Sequence, residues 1–152
     1  MEILDLDVLP LKGLGALNFG MSMEGVTKIL GEPDEVEDLA DNDNFNTTVL
    51  SYNETGISAF FEGIDAPILS CIEIDHRATL LFGKKAFEMS REDLIQHMNQ
   101  NGFEDLDKEE EEWGESRISF EDGLIDFYYN GQELTTINFG VLVNEKGEIE
   151  TL

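Results

Sequence analysis

The stretch Met21-Ser-Met-Glu-Gly-Val-Thr-Lys-Ile-Leu30 lines up with Met89-Ser-Arg-Glu-Asp-Leu-Ile-Gln-His-Met98 further along the chain. Met, Ser and Glu coincide, and the pairs Val26/Leu94 and Leu30/Met98 stay apolar. The same offset holds for Leu50-Ser-Tyr52 against Ile118-Ser-Phe120, then shortens before Leu69-Ser-Cys-Ile72 against Leu134-Thr-Thr-Ile137. Self-similarity of this kind marks a repeated structural unit, with its length changes confined to turns.

Each unit reads as a short helix, an acidic connection and three strands. Ser22 and Ser90 stand where helix N-caps belong, and Glu24, Glu92 and Asp93 place negative charge at the positive end of the helix dipole. Val26, Ile29 and Leu30 form one apolar stripe, as do Leu94, Ile95 and Met98. Gly31 with Pro33 and Asn101 with Gly102 are stop signals. The alternation predicts strands over residues 47–52, 57–62, 68–74, 117–120, 124–129 and 134–143. Asn53-Glu-Thr-Gly56, Glu121-Asp-Gly123 and Asn130-Gly131 are the turns between them.

The expected fold class is therefore α+β: a tandem duplication of a helix plus a three-to-four-stranded antiparallel sheet, with the helices on one face. Residues 1–76 form the first unit and residues 77–152 the second, packed as one body. Along the third strand of each unit, Ile72, Ile74, Ile137 and Phe139 share a face, while Cys71, Glu73, Thr136 and Asn138 point the other way. Phe60 and Phe61 are adjacent, as are Phe127, Tyr128 and Tyr129, and neighbours on a strand cannot all enter one core. One of each set is expected on an open sheet face, with Phe61 and Tyr128 the candidates beside Glu73. The bland alternative is that the two units, or a homodimer, hide these rings.

Leu17-Asn-Phe-Gly-Met-Ser-Met-Glu-Gly-Val-Thr-Lys-Ile-Leu-Gly31 resembles the repeat opening of the β-lactamase inhibitory protein family. A similar Gly-Met-Ser/Thr helix start occurs in outer-membrane assembly lipoproteins of the SmpA/OmlA type. In the second unit, Phe87-Glu88-Met89 replaces Phe-Gly-Met. The resemblance implies a sheet that grips another protein, with hairpin loops reaching into the partner's active site. The matching loops here carry Asn53, Glu54, Glu121 and Asp122.

Charge narrows the partner. The 152 residues hold 34 Asp and Glu against 9 Lys and Arg, a net charge of −25. Such a surface repels phosphate backbones and anionic headgroups, so neither nucleic acid nor membrane is an expected partner, and a basic protein is. The acids gather after each helix, at Glu32 to Asp43 and at Glu104 to Glu115. Glu110 and Glu111 in the second run, with Trp113 behind them, are further contact candidates. Duplex DNA carries one charge per about 1.7 Å, so this charge matches roughly 12 base pairs, enough to occupy a basic nuclease groove. The plainer reading is that the runs are solvated loops that keep the chain soluble.

Catalysis finds little footing. No nucleophile elbow, phosphate loop or HExxH motif is present. His97 occupies the helix position of Ile29, and Cys71 and His76 have nothing to orient them. Asp41-Asn-Asp-Asn-Phe-Asn46 begins like a calcium loop but lacks its glycine and third oxygen ligand. With a single cysteine, no internal disulfide can form. No cofactor or metal is expected. The acidic start Met1-Glu-Ile-Leu-Asp-Leu-Asp7 does not read as a secretion signal, so a cytoplasmic location is expected. The function expected first is a non-enzymatic inhibitor, in particular an immunity protein that covers the active site of a basic toxin enzyme. A self-associating assembly module and a calcium- or small-ligand-dependent binder are the alternatives.

Overall fold

The computed structural model describes residues 6–40, 46–63, 65–110 and 114–150. Ser22 caps helix α1 (Met23–Leu30) by accepting the Gly25 amide at 3.0 Å, and Ser90 caps α2 (Arg91–Gln100) through the Asp93 amide at 3.1 Å. Each oxygen satisfies an amide that the first helical turn leaves without a partner. Gly31 ends α1 with φ at 85°, and its amide returns to the Thr27 carbonyl. Val26, Leu94 and Met98 are the apolar helix residues with no exposed surface.

The rest is dominated by strands. They are β1 (Glu35–Ala40), β2 (Asn46–Tyr52), β3 (Ile57–Gly63), β4 (Ile68–Ile74), β5 (Leu106–Glu110), β6 (Glu115–Phe120), β7 (Ile125–Asn130) and β8 (Glu133–Gly140). All eight join one antiparallel sheet in the order β5-β6-β7-β8-β4-β3-β2-β1. About half of the described residues are strand and about one sixth helix. This overturns the expected α+β duplication of a helix with its own small sheet: the molecule is mostly β, built on one large sheet. The misreading has a specific cause. The acidic runs taken as connections are strands at the two sheet edges, where side chains remain in water and charge costs little.

The sheet is continuous because β4 and β8 pair directly, Ile74 opposite Ile137 and Cys71 opposite Gly140. Gly140 is required at that seam. A Cβ there would stand 2.3 Å from the Ser70 carbonyl oxygen, and the Val141 amide donates to that same oxygen at 2.8 Å. Short strands at Asp7–Leu9, Gly13–Leu14, Leu17–Asn18, Leu80–Leu81 and Lys84–Lys85 form a second sheet, in which Asp7–Leu9 runs parallel to Leu80–Leu81. Its Val8, Leu14, Leu17 and Leu81 enter one hydrophobic cluster with Val26, Leu94, Met98 and the inward residues of the large sheet. That cluster draws on both halves of the sequence. Among the described residues, no helix covers the opposite face of the large sheet.

Candidate functional site

Alternation along β3 and β7 decides which rings that uncovered face presents: Ile57, Ala59 and Phe61 turn inward in one, Ile125, Phe127 and Tyr129 in the other. The pairing shifts beside these rings leave Ser70 and Thr135 as the extra residues on the neighbouring strands. Phe61 is fully buried and Tyr129 nearly so, while Phe60 is half-buried on the other face and Tyr128 is 38 % exposed. The expectation for Phe61 is thus corrected: it plugs the core opposite Leu69, and Phe60 is its outward neighbour. Tyr128 lies on the open face as expected.

Between these two rings runs an unbroken polar row. Glu35 stands opposite Ser51, Ser51 opposite Ser58, and Ser58 opposite Glu73. The row continues through Asn138, Asp126, Ser119 and Asp107 to the far edge. It crosses all eight strands without an apolar side chain. On one side lies a row with Val49, Phe60 and Cys71, on the other a row with Thr136, Tyr128 and Arg117. Among the described residues, Arg117 is the one basic residue that strand alternation places on this face. It binds Glu109 at 2.6 Å and approaches Asp107 at 3.6 Å.

Several carboxylates are held in place. Ser119 donates to Asp126 at 2.5 Å, and Ser70 donates to Glu62 at 2.5 Å. Glu73 and Glu115, with Tyr128, Asn130 and Thr136, border a shallow hollow of about 340 Å³. The negative field is felt by the neighbouring groups. Burial, then Glu62, Glu73 and Asp126, push the Cys71 thiol up from 9.0 to about 12, against a hydrogen bond to Asn138 that favours ionisation. Burial and then Asp126 raise Tyr128. Burial and this field both favour the neutral form of the Cys71 thiol, the less reactive one.

The hairpin loops do not act together. Asn53 and Glu54 are exposed in the turn after β2, and the Asn53 amide donates to Asp34 at 2.7 Å. Asp122 accepts the Glu104 amide at 3.0 Å and the Asp105 amide at 3.3 Å, so its carboxylate is committed to the fold, while Glu121 is exposed. Following the antiparallel pairings across the sheet, these two turns leave opposite ends of it. Two claws reaching from one rim are thereby ruled out. Glu110 is exposed, but alternation from Glu109 turns it toward the helix side. Glu111, Trp113 and the Asp41–Phe45 stretch lie outside the described residues.

The histidines serve local structure. His76 accepts the Ala78 amide at 3.0 Å through Nδ1. His97 is buried with Nε2 2.7 Å from the Leu81 carbonyl, so Nε2 carries the proton, and its Nδ1 has no partner in the described structure. Among the described residues no three His, Cys, Asp or Glu side chains converge on a metal position, and no helix is long and apolar enough to cross a membrane.

Sequence reasoning missed Phe60, Glu115, Asp126 and Arg117. Counting by twos from Tyr128 yields Asp126 and Asn130, and from Glu73 yields Cys71, so half of the face was within reach. Counting by twos from Ile57 through Ala59 turns Phe61 inward and Phe60 outward, so that ring was within reach too. No family model matches the chain, and neither does any curated protein or solved structure.

Proposed function

We propose that this chain is a non-enzymatic, cytoplasmic inhibitor, an immunity protein that neutralises a basic toxin enzyme by covering its active site with the open face of the large sheet. The observation that carries the reading is the polar, acid-bearing row flanked diagonally by Phe60 and Tyr128. Carboxylates that outnumber the single Arg117 on this face steer a basic partner and accelerate encounter, while half-exposed rings at the flanks slow its departure. The resemblance of Leu17–Gly31 to the inhibitory-protein repeat opening points the same way. Self-association through this face is disfavoured, because it would bring together two surfaces of the same sign.

The test is co-expression with the protein encoded immediately upstream of this reading frame. Rescue of growth and a stable complex are expected. Charge reversal of Glu73 and Glu115 to Lys should slow association about tenfold at low salt, and Tyr128→Ala should speed dissociation about tenfold. A complex whose association ignores both salt and the reversals would sink the electrostatic reading.

A further inference from the structure

Resting on that docking reading, we infer that the partner is a nucleic-acid-binding enzyme, and that the carboxylate row occupies the track of the phosphate backbone this enzyme takes as substrate. The centre of an ordinary protein-binding patch is depleted of charge and enriched in apolar contact, with polar groups pushed to the rim. Here the order is inverted: the centre is wholly polar and the apolar groups, Phe60 and Tyr128, stand at the flanks. That inversion suits a groove whose floor presents Lys and Arg to a polyanion.

Dimensions agree. Eight strands spaced about 4.8 Å apart make the row roughly 34 Å long, close to one turn of a duplex. From β4 to β5, Glu73, Asp126 and Asp107 recur on every second strand with Asn138 and Ser119 between them, so negative charge returns about every 10 Å there; Glu35 follows about 14 Å beyond Glu73 across Ser58 and Ser51, and Arg117 stands 3.6 Å from Asp107. Asp126 is oriented by Ser119, which makes this charge part of the scaffold rather than a mobile tip.

The full chain is titrated into ribonuclease A loaded with a fluorescent DNA oligonucleotide. A parallel titration uses lysozyme, which is also basic but has no polynucleotide track. The expected result at about 50 mM salt is displacement of the oligonucleotide and at least about tenfold weaker capture of lysozyme. The triple change Glu73→Gln, Asp126→Asn and Asp107→Asn should weaken displacement about tenfold, whereas Glu24→Gln, Glu88→Gln and Glu92→Gln, which remove equal charge from the helix side, should change it less than about twofold. Because Asp126 also holds Ser119, the pair Glu35→Gln and Glu73→Gln supplies a second variant with the same expected direction. Three results overturn the inference while docking survives: ribonuclease bound with its oligonucleotide retained, lysozyme bound equally well, or both triple variants equally weakened. If neither enzyme is bound at low salt, the docking reading falls, and this inference with it.

Discussion

The two faces of the large sheet are written by the same strands, residue by residue in alternation, yet they obey opposite rules. On the helix side, Ile72, Ile74, Phe127, Ile137 and Phe139 lose essentially all contact with water. On the open side, the same strands carry Cys71, Glu73, Asp126, Tyr128 and Asn138. The helix side has one solution, because close packing leaves no room for a wrong shape. The open side tolerates many residues as far as stability is concerned. The comparison predicts that a substitution should hurt folding on one face and binding on the other.

The hardest blow to that contrast should come from the adjacent rings. Phe61→Ala is expected to cost about 3–5 kcal/mol in urea denaturation, as a buried cavity does, and a loss below about 1 kcal/mol would return Phe61 to the open face. The seam between the halves comes next. Gly140→Ala must push a methyl group against the Ser70 carbonyl, costing about 1–3 kcal/mol, with accelerated amide exchange in β4 and β8.

Alkali probes both faces at once. Cys71 on the open face and Tyr129 on the helix side both titrate near 12 in the folded chain, raised from 9.0 and 10.0. Burial dominates each shift, and Arg91 over the Tyr129 ring opposes the second. Both groups are neutral in the fold and ionise first in the unfolded chain. Their contribution is fully present below about pH 9 and is lost as pH rises toward 12. The urea midpoint should fall across that window, and Cys71→Ala should remove the earlier part of the fall. A flat profile between pH 9 and 12 would contradict the buried neutral thiol.

Smaller effects complete the series. Ser22→Ala and Ser90→Ala should each cost about 1 kcal/mol, since each leaves a helix amide without its acceptor. Tyr128→Ala should change stability by less than about 0.5 kcal/mol while altering partner release. A larger destabilisation would place Tyr128 in the core rather than at a docking surface.

How much could be read in advance differs between the faces for a physical reason. Apolar alternation and capping are local, so Ser22, Ser90, the inward-facing Ile72, Ile74, Ile137 and Phe139, and most strand limits were legible from one-dimensional pattern. The acidic stretches Glu35–Ala40 and Leu106–Glu110 were not. Strand propensity is low there, and only pairing with Asn46–Tyr52 and Glu115–Phe120 makes them strands. The same non-local pairing overturned the expected fold class, because two four-strand groups share one sheet only where β4 meets β8.

The sequence alone determined that this chain folds around apolar alternation, that Ser22 and Ser90 start its helices, and that its surface is strongly anionic. Composition and neighbouring residues fix those properties. Only the tertiary structure decided that the two acidic stretches pair as edge strands, that the two turns leave opposite ends, and that Glu35, Glu73, Asp126 and Asp107 share one row. Those facts depend on strand register, which is set by packing and register shifts between segments far apart in the chain.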